Sequence, residues 1–213
     1  MKRALVGLAA LLTIAAAAAF AQPKEAIDIT DAQIKEVLKF APPAVDQTLK
    51  VIDMGNYQLS VAIIHRGPTG APAAGRGGAG KAGATPAEPC GATSMPAGAK
   101  VSGAGGIAHD DTVETYVVVS GGGTLITGGE ILNGRRSPAD SEVTKILNGP
   151  SCAGNIVGNF VTRKIAVGDV VVIPAGVPHG FTEISDHIDY LSIRPDPHKV
   201  LEHGYVNPHL PKS

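Results

Sequence analysis

The chain has 213 residues, with 18 lysines and arginines against 19 aspartates and glutamates and a formal net charge of −1. So balanced a charge, without a basic face, gives no reason to expect a nucleic-acid partner. Four tyrosines, four phenylalanines and no tryptophan leave no evident aromatic platform for stacking sugars or bases, and the length suits one domain with a sizeable core.

Residues 1–21 read as a secretory signal peptide. Lys2 and Arg3 give a positive start, residues 4–20 form an uncharged apolar run, and Ala19 and Ala21 are small residues placed for a signal peptidase. A transmembrane helix is the rival reading, but the run is alanine-rich and sits at the short end of the roughly 17–25 residues that cross a bilayer. Cleavage after Ala21 leaves residues 22–213 as a single domain, exported to the periplasm or beyond and free of the membrane.

In chain order, residues 30–40 predict the first helix. Thr30 can cap it, Asp31 suits its N-terminus, Ile34, Val37 and Leu38 lie on one stripe, and Pro42 and Pro43 stop it. Such a helix packs outside a sheet or against a second subunit. Residues 48–54 and 57–66 are rich in β-branched residues and flank a Gly55-Asn56 hairpin signal. His65, on the second of these strands, is a rim or core histidine before it is a cavity residue. Residues 67–100 are Gly/Ala/Pro-rich and read as a long loop insertion. Within it, residues 75–82 (GRGGAGKA) nearly spell a phosphate-binding loop. They lack the hydroxyl that would ligate magnesium, since Ala82 stands there, and no apolar strand leads in.

Residues 105–119 come next. The glycines 121–123 then turn the chain into a strand at 124–127, and Gly128-Gly129 turn it again into 130–132. Residues 133–160 read as an irregular excursion, with a short helix over 139–147 and a loop at 149–152. Strands return at 161–167, 170–173, from His179 onward and at 188–193. The succession of short strands with glycine corners indicates a mainly all-β barrel or sandwich. In the tail, His198, His203 and His209 have no shared chelating spacing and read as surface residues. Cys90 and Cys152, in an oxidising compartment, are read most economically as one disulfide clamping two loops. Two buried free thiols, or a thiol ligand or nucleophile, are the alternatives.

The stretch GDVVVIPAGVPHGFT carries Gly168, Pro174, Gly176 and His179 in the pattern G-x5-P-x-G-x2-H. It resembles the second sequence motif of the cupins, except that Glu183 replaces the usual asparagine. Upstream, IAHDDTVETYVVVSGGG places His109, Glu114 and Gly121 as in the first cupin motif, H-x-H-x(3 or 4)-E-x6-G. Ile107 stands where that motif has its first histidine. The resemblance implies a double-stranded β-helix, or jelly-roll barrel, to which the helix at 30–40 and the long loop insertions read above are additions. It also implies that His109, Glu114 and His179 converge on one divalent metal ion, and that two chains can pair as a homodimer.

Two imidazoles and one carboxylate leave coordination positions open and suit Fe(II) best, with Mn, Zn or Ni as rivals. Asp111, two residues past His109, is either a further ligand or part of a solvated Asp110-Asp111 turn. Tyr116 either donates a proton in the cavity or is a buried tyrosine satisfied by one hydrogen bond. Arg194, sharing a face with Tyr190 and Ser192, either binds a substrate carboxylate or makes a surface ion pair. Two functions follow: a small-molecule metalloenzyme of dioxygenase type, with isomerase or lyase chemistry behind it, or a non-catalytic cupin that binds a small ligand or metal.

Overall fold

The computed structural model describes residues 22–40, 45–70 and 87–211. The signal-peptide reading, the helix-stopping prolines and the phosphate-loop near-match all lie outside those residues. One helix, α1 (Asp31–Leu38), precedes nine strands: β1 (Asp46–Asp53), β2 (Gln58–Arg66), β3 (Pro89–Cys90), β4 (Val101–His109), β5 (Glu114–Arg136), β6 (Ser151–Ala166), β7 (Val170–Ile173), β8 (His179–Glu183) and β9 (Ile188–Asp196). A π-helical turn, Val143–Leu147, lies between β5 and β6.

The strands form two sheets that share β5. Its first part pairs with β7 and β9, and the sheet continues through β2 to β1. Its second part pairs with β6 and β8, while β4 pairs with both of those, so the second sheet closes on itself. Side chains alternate along each strand, so one face of every strand points inward. The inward apolar residues, among them Ile64, Val118, Leu125, Ile165, Ile173, Ile188 and Tyr190, fill the interior between the sheets. Outside the first sheet, Val37 of α1 and Leu210 of the tail pack on Leu49 and Ile63. Thr30 caps α1 in a reciprocal capping box with Gln33.

Four expectations are corrected. Glycines 121–123 and 128–129 do not reverse the chain, because β5 runs unbroken through them for 23 residues. Gly121 (φ 63°) and Gly128 and Gly129 (φ 86° and 73°) instead bend the strand, with register shifts nearby. Glycine permits a bulge as readily as a turn, and a strand serving two sheets needs bends. The irregular excursion is shorter than 133–160, since Ser151 and Cys152 already belong to β6. Cys152 is bonded to Cys90 (S–S 2.04 Å), so the disulfide ties strands rather than two loops. Finally, the 67–100 insertion is held at its far end, where β3 pairs with Gly134 and Arg135 of β5.

Candidate metal centre

The second sheet closes where β4 meets β8, at the single pair Ile107–His179. This junction is made of bare backbone. A Cβ added to Gly180 would lie 2.5 Å from Gly105 O, and one added to Gly106 would lie 2.6 Å from His179 O. Because both carbonyl oxygens are main chain, neither strand can yield locally, and at Gly106 the Ile156 side chain lies closer still. Gly180→Ala is therefore expected to cost about 1–3 kcal/mol, as overpacking does, and to weaken metal binding by separating the strands that carry the histidines. A urea melt and a zinc titration on one preparation check it; unchanged values in both would contradict this account of the closure.

Inside that closure His109, Glu114 and His179 come together at 3%, 1% and 4% exposure. His109 Nε2 lies 3.3 Å and His179 Nε2 2.9 Å from the same oxygen, Glu114 Oε2. Candidate ligand atoms of all three lie within 4.8 Å of one another. The protons of both rings are assigned elsewhere. His179 Nδ1 donates to Val177 O at 3.0 Å. His109 Nδ1 donates to Ser151 Oγ at 2.8 Å, whose own hydrogen goes to Gly149 O at 2.9 Å. In neutral rings both Nε2 atoms therefore present lone pairs to a carboxylate oxygen. Three such groups can hold a cation among them, and the donor set suits a divalent metal.

The carboxylate is also held from behind. Glu114 Oε1 accepts from Arg194 Nε (2.8 Å), Ser192 Oγ (2.9 Å) and Asn148 Nδ2 (3.3 Å), and Oε2 accepts from Tyr116 OH (2.9 Å). Burial by itself would raise the Glu114 pKa, but the Arg194 charge holds it well below its ordinary value. For His109 burial dominates and lowers the pKa, only partly offset by Glu114. Burial, reinforced by the Glu114 charge, raises Tyr116 well above the usual phenol value, so Tyr116 stays protonated and can donate.

Both depressed groups give the metal-free protein the same acid sensitivity. Unfolded His109 takes up a proton near its ordinary 6.5 that the folded ring refuses, so stability falls as pH drops below that value. The Glu114 contribution is complete above its ordinary 4.5 and is lost as pH falls through its lower folded value. Urea midpoints are expected to decline from about pH 7 to 5. That slope should flatten in His109→Gln, and an equal slope in the variant would contradict the assignment.

The other candidates fall as follows. Tyr116 is buried and bonded to Glu114, so its single hydrogen bond is to the candidate ligand itself. Arg194 makes no surface ion pair. It is 1% exposed, with Nε on Glu114 and Ser192, Nη1 on Asp46 and Leu147 O, and Nη2 on Asp46 at 2.7 Å. With those nitrogens engaged, it orients Glu114 rather than waiting for a substrate carboxylate. Asp110 pairs with Arg136, and Asp111 is half exposed beside His198, as the solvated-turn reading expects. His65 pairs with Asp189 at 2.6 Å, at the rim. Glu183 is exposed. Ser151, Asn148 and Asp46 escaped the sequence reading. Each lies far along the chain from its partner, and the only local signal, the turn-like GPS before Cys152, pointed to a loop.

No family model matches the sequence, and no curated protein matches it. Among solved structures, a protein from Bacillus halodurans is similar over 88% of this chain and 92% of its own, at 12% identity and a TM-score of 0.38. An uncharacterized conserved protein with a double-stranded beta-helix domain, from Klebsiella pneumoniae subsp. pneumoniae, matches 82% of this chain and 94% of its own, at 12% identity and a TM-score of 0.35. An oxalate oxidase matches 74% of this chain and 54% of its own, at 13% identity and a TM-score of 0.31. The fold assignment stands on this chain's own sheets and motifs. With β5 shared by two sheets, the second closed on itself, and both motif regions meeting inside, the chain has the mainly all-β, double-stranded β-helix architecture that its two motifs led us to expect.

Proposed function

We propose that this chain is an exported cupin that holds one divalent metal ion between His109, Glu114 and His179 and acts on a small molecule, as a metalloenzyme of dioxygenase type. The carrying observation is the convergence of the two imidazole Nε2 atoms on one buried carboxylate oxygen, at 3.3 and 2.9 Å. Export is supported by the pattern of residues 1–21 and by the Cys90–Cys152 disulfide. Among the described residues no helix is long and apolar enough to cross a membrane.

Bound there, a divalent ion would supply Lewis acidity and, as Fe(II), redox chemistry with dioxygen. The chain's own groups do the rest. Arg194, Ser192 and Asn148 occupy Oε1 and so present Oε2 to the two rings. Tyr116 holds a proton on its hydroxyl and donates it in a hydrogen bond to that oxygen. Ile107, paired across from His179, puts an apolar side chain where the first motif has a further histidine, which leaves three protein ligands.

Metal analysis of the purified protein, followed by oxygen uptake with enols and phenols, tests this reading. One metal per chain with substrate-dependent uptake is expected. A non-catalytic metal-binding cupin is the second reading, favoured by the near-complete burial of all three groups. Bound metal without turnover would select it, and absence of metal affinity would dismiss both.

A further inference from the structure

The two histidines are oriented from behind by different means. His179 leans on a main-chain carbonyl two residues earlier, so its orientation comes with the turn. His109 instead leans on a side chain, Ser151 Oγ, from its register partner across the β4–β6 ladder. Ser151 is 1% exposed, and its hydroxyl hydrogen is committed to Gly149 O. Its oxygen can therefore only accept from the ring. This fixes hydrogen on Nδ1 and leaves the Nε2 lone pair facing Glu114.

We propose that Ser151 is a positioning residue that sets the tautomer and ring plane of His109 for metal binding, and that the Cys90–Cys152 disulfide holds Ser151 in place. The inference rests on the metal reading above. Cys152 follows Ser151 on β6 and pairs with Ala108, which precedes His109. Its bridge leads to Cys90 of β3, which is laddered to Gly134 of β5. The bridge thus ties β6, through β3, to β5 where the β5–β6 register is interrupted, between Leu132 and Arg135. Packing is built around it: a Cβ on Gly134 would lie 2.6 Å from Cys152 Sγ. The disulfide also borders a cleft of about 350 Å³ lined by Ala108, Gly176 and Pro178, residues within three positions of one histidine or the other. Gly176 N donates to His109 O at 2.7 Å. Disulfide, cleft and histidine backbone therefore form one contiguous unit.

Zinc affinity is measured by chelator competition on the whole protein, its Ser151→Ala and Ser151→Thr variants and the Cys90→Ser/Cys152→Ser pair. Ser151→Ala should bind zinc about 10–100-fold more weakly, as losses of outer partners do, while its metal-free melting temperature stays near that of the parent. Ser151→Thr, which keeps the hydroxyl, should restore most of the affinity. The cysteine pair should also weaken binding, and adding Ser151→Ala to it should cost less than in the parent. Nitrogen-15 spectra of the metal-free parent should show the His109 hydrogen on Nδ1, a readout that needs no variant. Equal zinc affinity in parent and Ser151→Ala, or hydrogen on Nε2, overturns this inference alone. A parent that binds no zinc or other divalent ion overturns the metal reading and this inference together.

Discussion

Arg194→Met is expected to lose about 3–5 kcal/mol of stability in urea, the usual result of removing one partner from a buried ion pair. The guanidinium is buried between two carboxylates, Glu114 and Asp46, and also caps Leu147 O. Without it Glu114 remains enclosed, opposite two lone pairs and with no positive charge nearby. Burial, now unopposed by that charge, would push its pKa up. The parent loses stability as pH falls, whereas the variant should gain, relative to the parent, as its carboxyl takes up a proton. A second change separates charge from packing: Glu114→Gln on the Arg194→Met background should recover part of the loss, because it removes the stranded charge. If Arg194→Met melts like the parent at every pH, the buried pair does not contribute as described.

His179→Ala should abolish metal binding, from one ion per chain to none, with a smaller effect on the metal-free fold. His179 sits at the closing junction of the second sheet, yet its ring makes one hydrogen bond to a main-chain carbonyl, and its Nε2 faces only the cluster. Removing it leaves one imidazole and one carboxylate, too few protein ligands to retain a divalent ion against water. Metal content by elemental analysis, together with the rise in melting temperature on adding zinc or iron, measures the effect. The parent should melt higher with added ion by the linkage of binding to folding, and His179→Ala should show no rise. A variant that still holds one ion per chain would remove His179 from the ligand set and with it the proposed centre.

The two motifs show where reading a sequence works. Gly168, Pro174, Gly176 and His179 lie within twelve consecutive residues, and their turn is a local consequence of glycine and proline backbone preferences. Structure places His179 just after that turn, opening β8. Thr30 and Gln33, three residues apart, form their cap for the same local reason. Glycines 121–123 show where it fails: the residues that permit a bend also permit a reversal, and pairing with strands far along the chain decides which occurs. Arg194 failed in the same way, since an arginine on an alternating strand gives no sign of being enclosed by Asp46, 148 residues away.

What the amino-acid order indicated by itself was most of the strands and the helix cap, which follow from side-chain alternation and backbone preference; the three residues of ligand type came from the resemblance of two short motifs to those of the cupins, and one disulfide was the most economical reading of two cysteines. Only the tertiary structure decided that Oε1 of Glu114 is taken by Arg194, Ser192 and Asn148 while Oε2 faces both rings, and that Ser151 stands behind His109. Those choices depend on the register between strands that are distant in sequence. Register is set by closing the barrel over its whole interior, and no short window of residues contains it.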